Sequence, residues 1–367
     1  MTKTVLIFLA LFTFSLAENL KFLENDIELN MPSTVSLKTT NPLGSLDSIL
    51  KPKSVAVIGA SSKKFAIGYE LVARLLELKF TGKIYPINPK AKEILGLKVY
   101  KSILDVPDQV DLAVIAVKAS LVLDAIDMCN QKGVKGLVMI TAGFKEVDHE
   151  GALVEQEMLR RVRQYGMRLV GPNCIGVMNT HPSISLDASF ALKLPIRGNI
   201  GFVSQSGALV AGILNILPDL HVGFAQLISV GNQPDVNAET AIEYWENDAD
   251  VGQILLYMEG ITDAKNFRKL ATRISKKKPM IALKSGRSSA GASAASSHTG
   301  SLAGTDKAAD TLLSKLYFNF FRTKWSHQRN QFKRFLHHSQ SILHIETTKG
   351  KQSCCHHQRR RPRYYGY

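Results

Sequence analysis

One imidazole stands in a stretch with almost nothing else to offer. In "KSGRSSAGASAASSHTGSLAG", the span Arg287 to Thr299 holds no large apolar residue and a single histidine, His298. Imidazole is a nucleophile toward phosphoryl groups, and a long segment of small residues has no core to serve, so it is suited to swing. A carboxylate, Glu259, closes the apolar run "LLYMEG". The carboxyl end of a parallel strand is where open sheets place their ligands, although an ordinary loop glutamate fits the same pattern. Two Gly/Ser turns complete the set: "GASSKKFAIG", with Gly59, Ala60 and Ser61, and "VSQSGAL", with Ser204, Gln205, Ser206 and Gly207. Each follows an apolar strand run and opens a helical one, so each offers unpaired backbone N–H groups to a phosphate.

These turns exclude some chemistries. Neither Ser204 nor Ser206 has the flanking glycines of a G-x-S-x-G nucleophile elbow. Gly59, Ala60 and Ser61 do not complete G-x-G-x-x-G, and the second strand run ends in "NPK" (Asn88, Pro89, Lys90) where a NAD site needs an acid for the ribose. Lys90 suits a phosphorylated ribose, which favours coenzyme A or NADP over NAD. No hydride-transfer constellation accompanies it, so an oxidoreductase is disfavoured.

The elements that must position these residues are short apolar strands alternating with helices. "SVAVIGA", "KIYPIN", "DLAVIAV", "GLVMIT" and "MRLVGPN" form a first round; "NIGFVS", "FAQLISVG", "QILLYME" and "PMIALK" form a second. Between them, "GYELVARLLELKF" places Leu71, Leu75 and Leu78 on one helical face, and Leu121–Lys132 and Leu153–Tyr165 read as helices. Continuous apolar strands of this kind belong to parallel sheets covered on both faces. The expected architecture is α/β, with two doubly wound domains over 46–175 and 176–311 and a Ser-, Pro- and Asn-rich loop at 178–198.

The two ends differ from this body. The chain of 367 residues carries a net charge of +15, but residues 312–367 hold twelve Lys/Arg against Glu346 alone, leaving the rest near neutral. The basic charge is therefore a property of the tail and does not point to a nucleic-acid partner. Its "CCHH" lacks the gaps that let ligands converge on a metal, so no metal site is expected, and 312–367 reads as a disordered or frameshifted tail. Residues 1–45 read as a leader. Val5 to Leu16 with "SLA" has the pattern of a secretion signal, too short to span a membrane. The alternative is a start at Met31. Cys129 and Cys174 fall in a helical pattern and a turn, which fits a reduced, cytoplasmic protein.

Taken together, "KPKSVAVIGAS", "ITAGFKE", "GMRLVGPNCIGVMN", "GFVSQSGAL", "LYMEGI" and "KSGRSSAGASAASSHTGSLAG" resemble the NDP-forming acyl-CoA synthetases, most of all the α part of ADP-forming acetyl-CoA synthetase. The resemblance covers roughly residues 45–315. It implies a Rossmann-like CoA-binding domain followed by a flavodoxin-like domain of the succinyl-CoA synthetase type. It also implies the reaction acyl-CoA + phosphate + ADP ⇌ acid + CoA + ATP, through an acyl phosphate and a phosphohistidine. By position, His298 would be the phosphorylated histidine and Glu259 the acid that orients it. Ser204, Gln205, Ser206 and Gly207 would hold the phosphate. Gly59, Ala60, Ser61, Lys90 and Val117 would lie along CoA, with Asn173 near its thiol end. ADP or ATP with Mg would bind on a partner ATP-grasp β subunit in a hetero-oligomer acting on a small carboxylic acid, with no membrane partner. A cytosolic pool of these substrates favours the start at Met31. The pattern departs from its relatives at Lys118, where they often have proline. It ends near Lys315, which implies a truncated or frameshifted product. A non-catalytic CoA-binding module or an inactive truncated product is the alternative.

Overall fold

A computed structural model describes residues 45–220, 222–261, 263–284 and 319–320. His298, the leader and most of the basic tail lie outside the described residues.

A short helix, α1 (Asp47–Leu50), leads into β1 (Ser54–Ile58), α2 (Ile67–Glu77) and β2 (Lys83–Ile87). A two-residue hairpin pair, β3 (Glu93–Ile94) and β4 (Leu97–Lys98), precedes β5 (Leu112–Ile115), α3 (Val122–Lys132), β6 (Gly136–Met139), α4 (His149–Gln164) and β7 (Arg168–Val170). The five longer strands pair in parallel in the order β2-β1-β5-β6-β7. Alternate residues of β1 serve opposite cores. Val55 and Val57 pack with Leu71, Val72 and Leu75 of α2, whereas Ala56 and Ile58 join the cluster holding Ile126 of α3 and Met158 of α4. Two covered faces explain why every residue of β1 is buried and why the strand is legible as an unbroken apolar run.

The chain then passes to a second sheet through β8 (Gly176–Asn179) and β9 (Leu186–Ser189). β9 and the end of β8 lie within what the sequence presents as a polar connector. Both are antiparallel, β8 on β11 and β9 on β8. Their polar residues are buried with partners: Asn179 Nδ2 donates to Leu50 O at 2.8 Å, and Ser189 Oγ donates to Asp187 Oδ1 at 2.6 Å. A hydrophobicity pattern does not register strands of this kind, whose buried positions are met by hydrogen bonds rather than by apolar side chains.

The second round follows: β10 (Arg197–Ser204), α5 (Gly207–Leu220), β11 (Phe224–Ser229), α6 (Ala238–Trp245), β12 (Gln253–Met258), α7 (Ala264–Ile274) and β13 (Met280–Lys284). The sheet runs β14-β13-β12-β10-β11-β8-β9, where β14 (Asn319–Phe320) is a two-residue strand parallel to β13. A strand therefore falls inside the segment that the sequence assigns to the tail. Val210, Ile213 and Leu214 of α5 cover one face, and Ile242, Trp245, Phe267 and Leu270 of α6 and α7 cover the other. Side-chain caps start the later helices: Asn237 Oδ1 accepts from Thr240 N, and Asp263 Oδ1 from Asn266 N, both at 2.9 Å.

The two sheets share one core. Helix α2 packs on β9, and the apolar cluster under α2 continues through Val177, Leu186 and Ala188 into the second sheet. Among the described residues no helix is long and apolar enough to cross a membrane.

Candidate functional site

Both sheets carry the same device. The first parallel strand of each sheet, β1 or β10, has the second parallel strand in chain order on one side and the third on the other. The strand order therefore reverses between β1 and β5 and again between β10 and β12. In open parallel sheets a crevice opens at such a reversal, at the carboxyl ends of the strands, because the flanking connections leave on opposite faces. Gly59, Ala60, Ser61 and Val117 fall at the first of these points, and Ser204, Gln205, Ser206, Gly207 and Glu259 at the second; Lys90 follows β2 and Asn173 follows β7, at the same end of the first sheet.

At the first reversal, Gly59 ends β1 with φ +93°. A Cβ there would stand 2.3 Å from Ala116 O and 3.1 Å from Val117 Cγ1, so only glycine allows β1 to turn this close to the end of β5. Ala60 is buried, and its carbonyl accepts from Asn88 Nδ2 at 2.7 Å. Asn88 Oδ1 in turn accepts from Lys90 N at 2.7 Å. The loop after β2 is thereby tied to the first turn, with Lys90 exposed beside it. Ser61 Oγ caps the turn by accepting from Lys63 N at 3.1 Å. Val117 O accepts from Thr141 Oγ1 at 2.8 Å, and Thr141 O accepts from Asn173 N at 3.0 Å. Gly59, Ala60, Ser61, Lys90, Val117 and Asn173 thus all follow strands at the same end of the first sheet.

At the second reversal, register pairs Ser204 with Tyr257 across β10 and β12, and Met258 with Lys284 across β12 and β13. The turn after β10 is buried: Ser204, Gln205 and Ser206 are all under a tenth exposed. Ser204 Oγ donates to Ser206 O at 2.9 Å, and Ser206 Oγ accepts from Leu209 N at 3.3 Å in the first turn of α5. Gly207 differs from Gly59. Its φ is not positive, and a Cβ would meet Ile175 N, Ile175 Cβ and Ser229 Oγ at 3.5, 3.6 and 3.8 Å, which are ordinary contact distances. The fold itself does not require glycine here. Gln205 is turned away from the opening of α5. Its Oε1 accepts from Glu259 N at 2.5 Å and Gly260 N at 2.9 Å, and its Nε2 donates to Gly260 O at 2.8 Å. Glu259 itself is 8% exposed. His298 lies outside the described residues; the described chain at this edge runs to Lys284, from which the sequence reaches His298 fourteen residues later.

A buried polar cluster, not foreseen from the sequence, joins the two edges. Asn232, 3% exposed and just past β11, donates from Nδ2 to Glu146 Oε2 at 2.6 Å and to Glu155 Oε2 at 2.7 Å. Its Oδ1 accepts from Asn173 Nδ2 at 3.3 Å. Lys145 Nζ donates to Asn232 O at 2.6 Å and pairs with Glu155 Oε1 at 3.1 Å. Burial pushes the Glu146 carboxyl up, but bonds from Asn232 and from the Gly143 backbone outweigh it and hold the group below its usual range. The same loop runs along the edge strand of the first sheet. Val236 N donates to Leu169 O at 3.1 Å, while Asp235 Oδ2 accepts from Leu169 N at 2.8 Å and pairs with Arg168 Nε at 2.9 Å. The signal for this cluster was present in "ITAGFKE", but nothing local names Asn232 as its partner.

Both described cysteines are free and buried, which pushes each thiol up to about 12 and makes nucleophilic thiolate chemistry there unfavourable. No group of three or more metal-ligating side chains occurs among the described residues.

Residues 53–180 match the CoA binding domain family, and residues 197–317 match the succinyl-CoA ligase like flavodoxin domain. The chain thus carries a CoA-binding domain followed by a succinyl-CoA ligase-like flavodoxin domain, and it is similar to ADP-forming acetate–CoA ligases. It is 49% identical over 255 residues to an ADP-forming acetate–CoA ligase of Methanocaldococcus jannaschii, covering 70% of this chain and 35% of that protein. Its identity to the α subunit of the ADP-forming acetate–CoA ligase II of Pyrococcus furiosus is 45%, over 71% of this chain and 56% of the relative. A solved structure of acetyl-coenzyme A synthetase 1 from Ca. Korarchaeum cryptofilum, in complex with phosphate and ADP, superimposes with a TM-score of 0.72 at 40% identity, covering 76% of this chain and 60% of that one. The chain thus spans between about a third and three-fifths of the length of these relatives. Two doubly wound domains of these two types are what the sequence leads one to expect.

Proposed function

We propose that this chain is the CoA-binding and phosphohistidine-carrying part of an ADP-forming acyl-CoA synthetase. The observation that supports this most directly is the placement of the two Gly/Ser turns at the two strand-order reversals, with Glu259 held at the second. In this reading CoA lies along Gly59, Ala60, Ser61 and Val117 at the first edge. Lys90 faces its phosphorylated ribose, and Asn173 stands toward its thiol end. Inorganic phosphate attacks the thioester carbonyl, the C–S bond breaks, and the CoA thiolate leaves, giving an acyl phosphate.

The second edge then carries the phosphoryl step. An imidazole nitrogen of His298 attacks phosphorus, the bond to the acyl oxygen breaks, and the carboxylate leaves. Glu259 accepts the N–H of the opposite ring nitrogen and stabilises the imidazolium as it forms. Ser204, Ser206 and the N–H groups opening α5 at Gly207 stabilise the transferred phosphoryl group, as a helix N-terminus does for any anion. Fourteen extended residues span at most about 50 Å, so a segment starting at Lys284 has ample reach to present His298 here and elsewhere. ADP with Mg is taken on an ATP-grasp β subunit, which makes the working enzyme a hetero-oligomer, and the acid is a small carboxylate.

Incubation with 32P-labelled acetyl phosphate tests the reading without the partner. The chain is expected to gain an acid-labile, base-stable label that is absent in His298→Ala. Labelling that persists without His298 would refute it. Calorimetric titration with CoA and with NADP checks the first edge; binding of CoA without any label would instead favour a non-catalytic CoA-binding module.

A further inference from the structure

We infer that Gln205 is a positioning residue that fixes Glu259, rather than a ligand of the phosphate. This rests on the reading of Glu259 and His298 given above. The carboxamide of Gln205 has one oxygen and one nitrogen, and both are engaged across the strand-order reversal. Oε1 receives the N–H groups of Glu259 and Gly260, and Nε2 donates to the Gly260 carbonyl. Its backbone is held as well, Gln205 N donating to Tyr257 O at 3.2 Å. The side chain is 6% exposed. Flipping the amide toward the opening of α5 would leave two buried N–H groups and one buried carbonyl without partners, and each such loss is unfavourable.

The connection that these bonds hold is short. Only Gly260, Ile261 and Thr262 separate Glu259 from Asp263, which caps α7. At the far end Asp263 Oδ1 accepts from Asn266 N at 2.9 Å in the first turn of α7. The backbone that carries Glu259 is therefore held at one end by Gln205 from the end of β10 and passes at the other into the Asp263 cap of α7. An acid that must meet a mobile imidazole at hydrogen-bonding distance needs a fixed backbone, since a misplacement of about 1 Å is enough to lose orders of magnitude in rate.

The test is a double-mutant cycle on phosphohistidine formation from acetyl phosphate, using Gln205→Met, Glu259→Gln and the pair. A positioning role predicts that Gln205→Met lowers the maximal labelling rate at least tenfold while the half-saturating acetyl phosphate concentration stays within about twofold. It also predicts that the pair is no slower than Glu259→Gln alone, because Gln205 acts through Glu259. A phosphate ligand would instead raise the half-saturating concentration, and its effect would multiply with that of Glu259→Gln; that result overturns the inference. Gln205→Glu serves as the second variant if Gln205→Met does not fold. It keeps an acceptor for both N–H groups and regains a donor to Gly260 O when protonated, so its rate is expected to recover as pH falls. A wild-type chain that takes no His298-dependent label refutes the parent reading and this one together. A labelled wild type with multiplying effects refutes this one alone.

Discussion

The contrast between Gly59 and Gly207 turns the site into a measurable claim. For Gly207→Ala, the added methyl meets its nearest protein atoms at 3.5 to 3.8 Å and the backbone is not in the left-handed region. Replacing glycine by alanine in a compatible conformation restricts the unfolded chain and stabilises by about 0.4–1 kcal/mol. The midpoint of thermal unfolding is therefore expected to hold or rise by a few degrees. The same methyl occupies the space at the opening of α5, where the phosphoryl group is proposed to sit. Loss of a well-aimed donor to a developing anion costs about 10²–10³ in rate, so labelling of His298 is expected to fall at least tenfold. For Gly59→Ala the reverse holds. A Cβ 2.3 Å from Ala116 O and a left-handed backbone together cost roughly 2–5 kcal/mol, a large part of the stability of an ordinary domain. Scanning calorimetry and the acetyl phosphate assay on the two variants decide the matter. Unchanged labelling in Gly207→Ala would show that the glycine does not serve the phosphate. A large drop in its unfolding temperature would show that the fold, and not a ligand, requires it.

Other outcomes follow from the same geometry. Asp187 is fully buried on β9, and burial pushes its carboxyl from 3.8 up to about 7 against the opposing influence of Ser189 and Arg74. The folded state thus holds this proton more tightly than the unfolded one, so the stabilisation is complete below 3.8 and is lost as pH rises through 7. The difference is about 4 kcal/mol. Asp187→Asn is expected to remove most of that slope in urea unfolding between pH 4 and 8; an unchanged slope would contradict the assignment. Asn232→Ala strips a buried donor from both Glu146 and Glu155 and is expected to destabilise by roughly 3 kcal/mol. Its effect should be less than additive with Glu146→Ala, and full additivity in denaturant titrations would show that the two are not coupled. Asp235→Ala releases Arg168 Nε and Leu169 N at the edge of the first sheet. It is expected to raise amide exchange in β7 while leaving β1 protected.

What could be read from the sequence follows the range of the interactions involved. The nine long parallel strands were legible because each is an apolar run whose burial on both faces is a local property of its residues. Gly59 was legible because a glycine between a strand run and a helix run marks a tight turn. Strands β8 and β9 were not, since their buried positions include Asn179, Asp187 and Ser189, and a polar stretch reads as a loop unless its partners are known. The Asn232 cluster depends on contacts between residues 77 and 86 positions apart, which no periodicity encodes. The family resemblance gives Gln205 to the phosphate together with Ser204, Ser206 and Gly207, whereas its carboxamide bonds Glu259 and Gly260. The direction of one side chain, toward the opening or back across the strands, is decided by the backbone of β12, and a motif does not carry that information.

The repeated strand order has a consequence beyond the placement of single residues. Under the proposed function each edge serves one half of a group transfer: the first holds a long phosphorylated ligand, the second a transferred phosphoryl group. Two independent domains would leave the separation of these edges to a linker. Here the separation is fixed by the Asn232 cluster and by the 230–236 loop lying along β7, both built from buried, charge-assisted bonds. If these bonds keep the two crevices apart, the proposed function leaves the onward transfer of the phosphoryl group to His298, the nucleophile it names, and not to an approach of the two sheets.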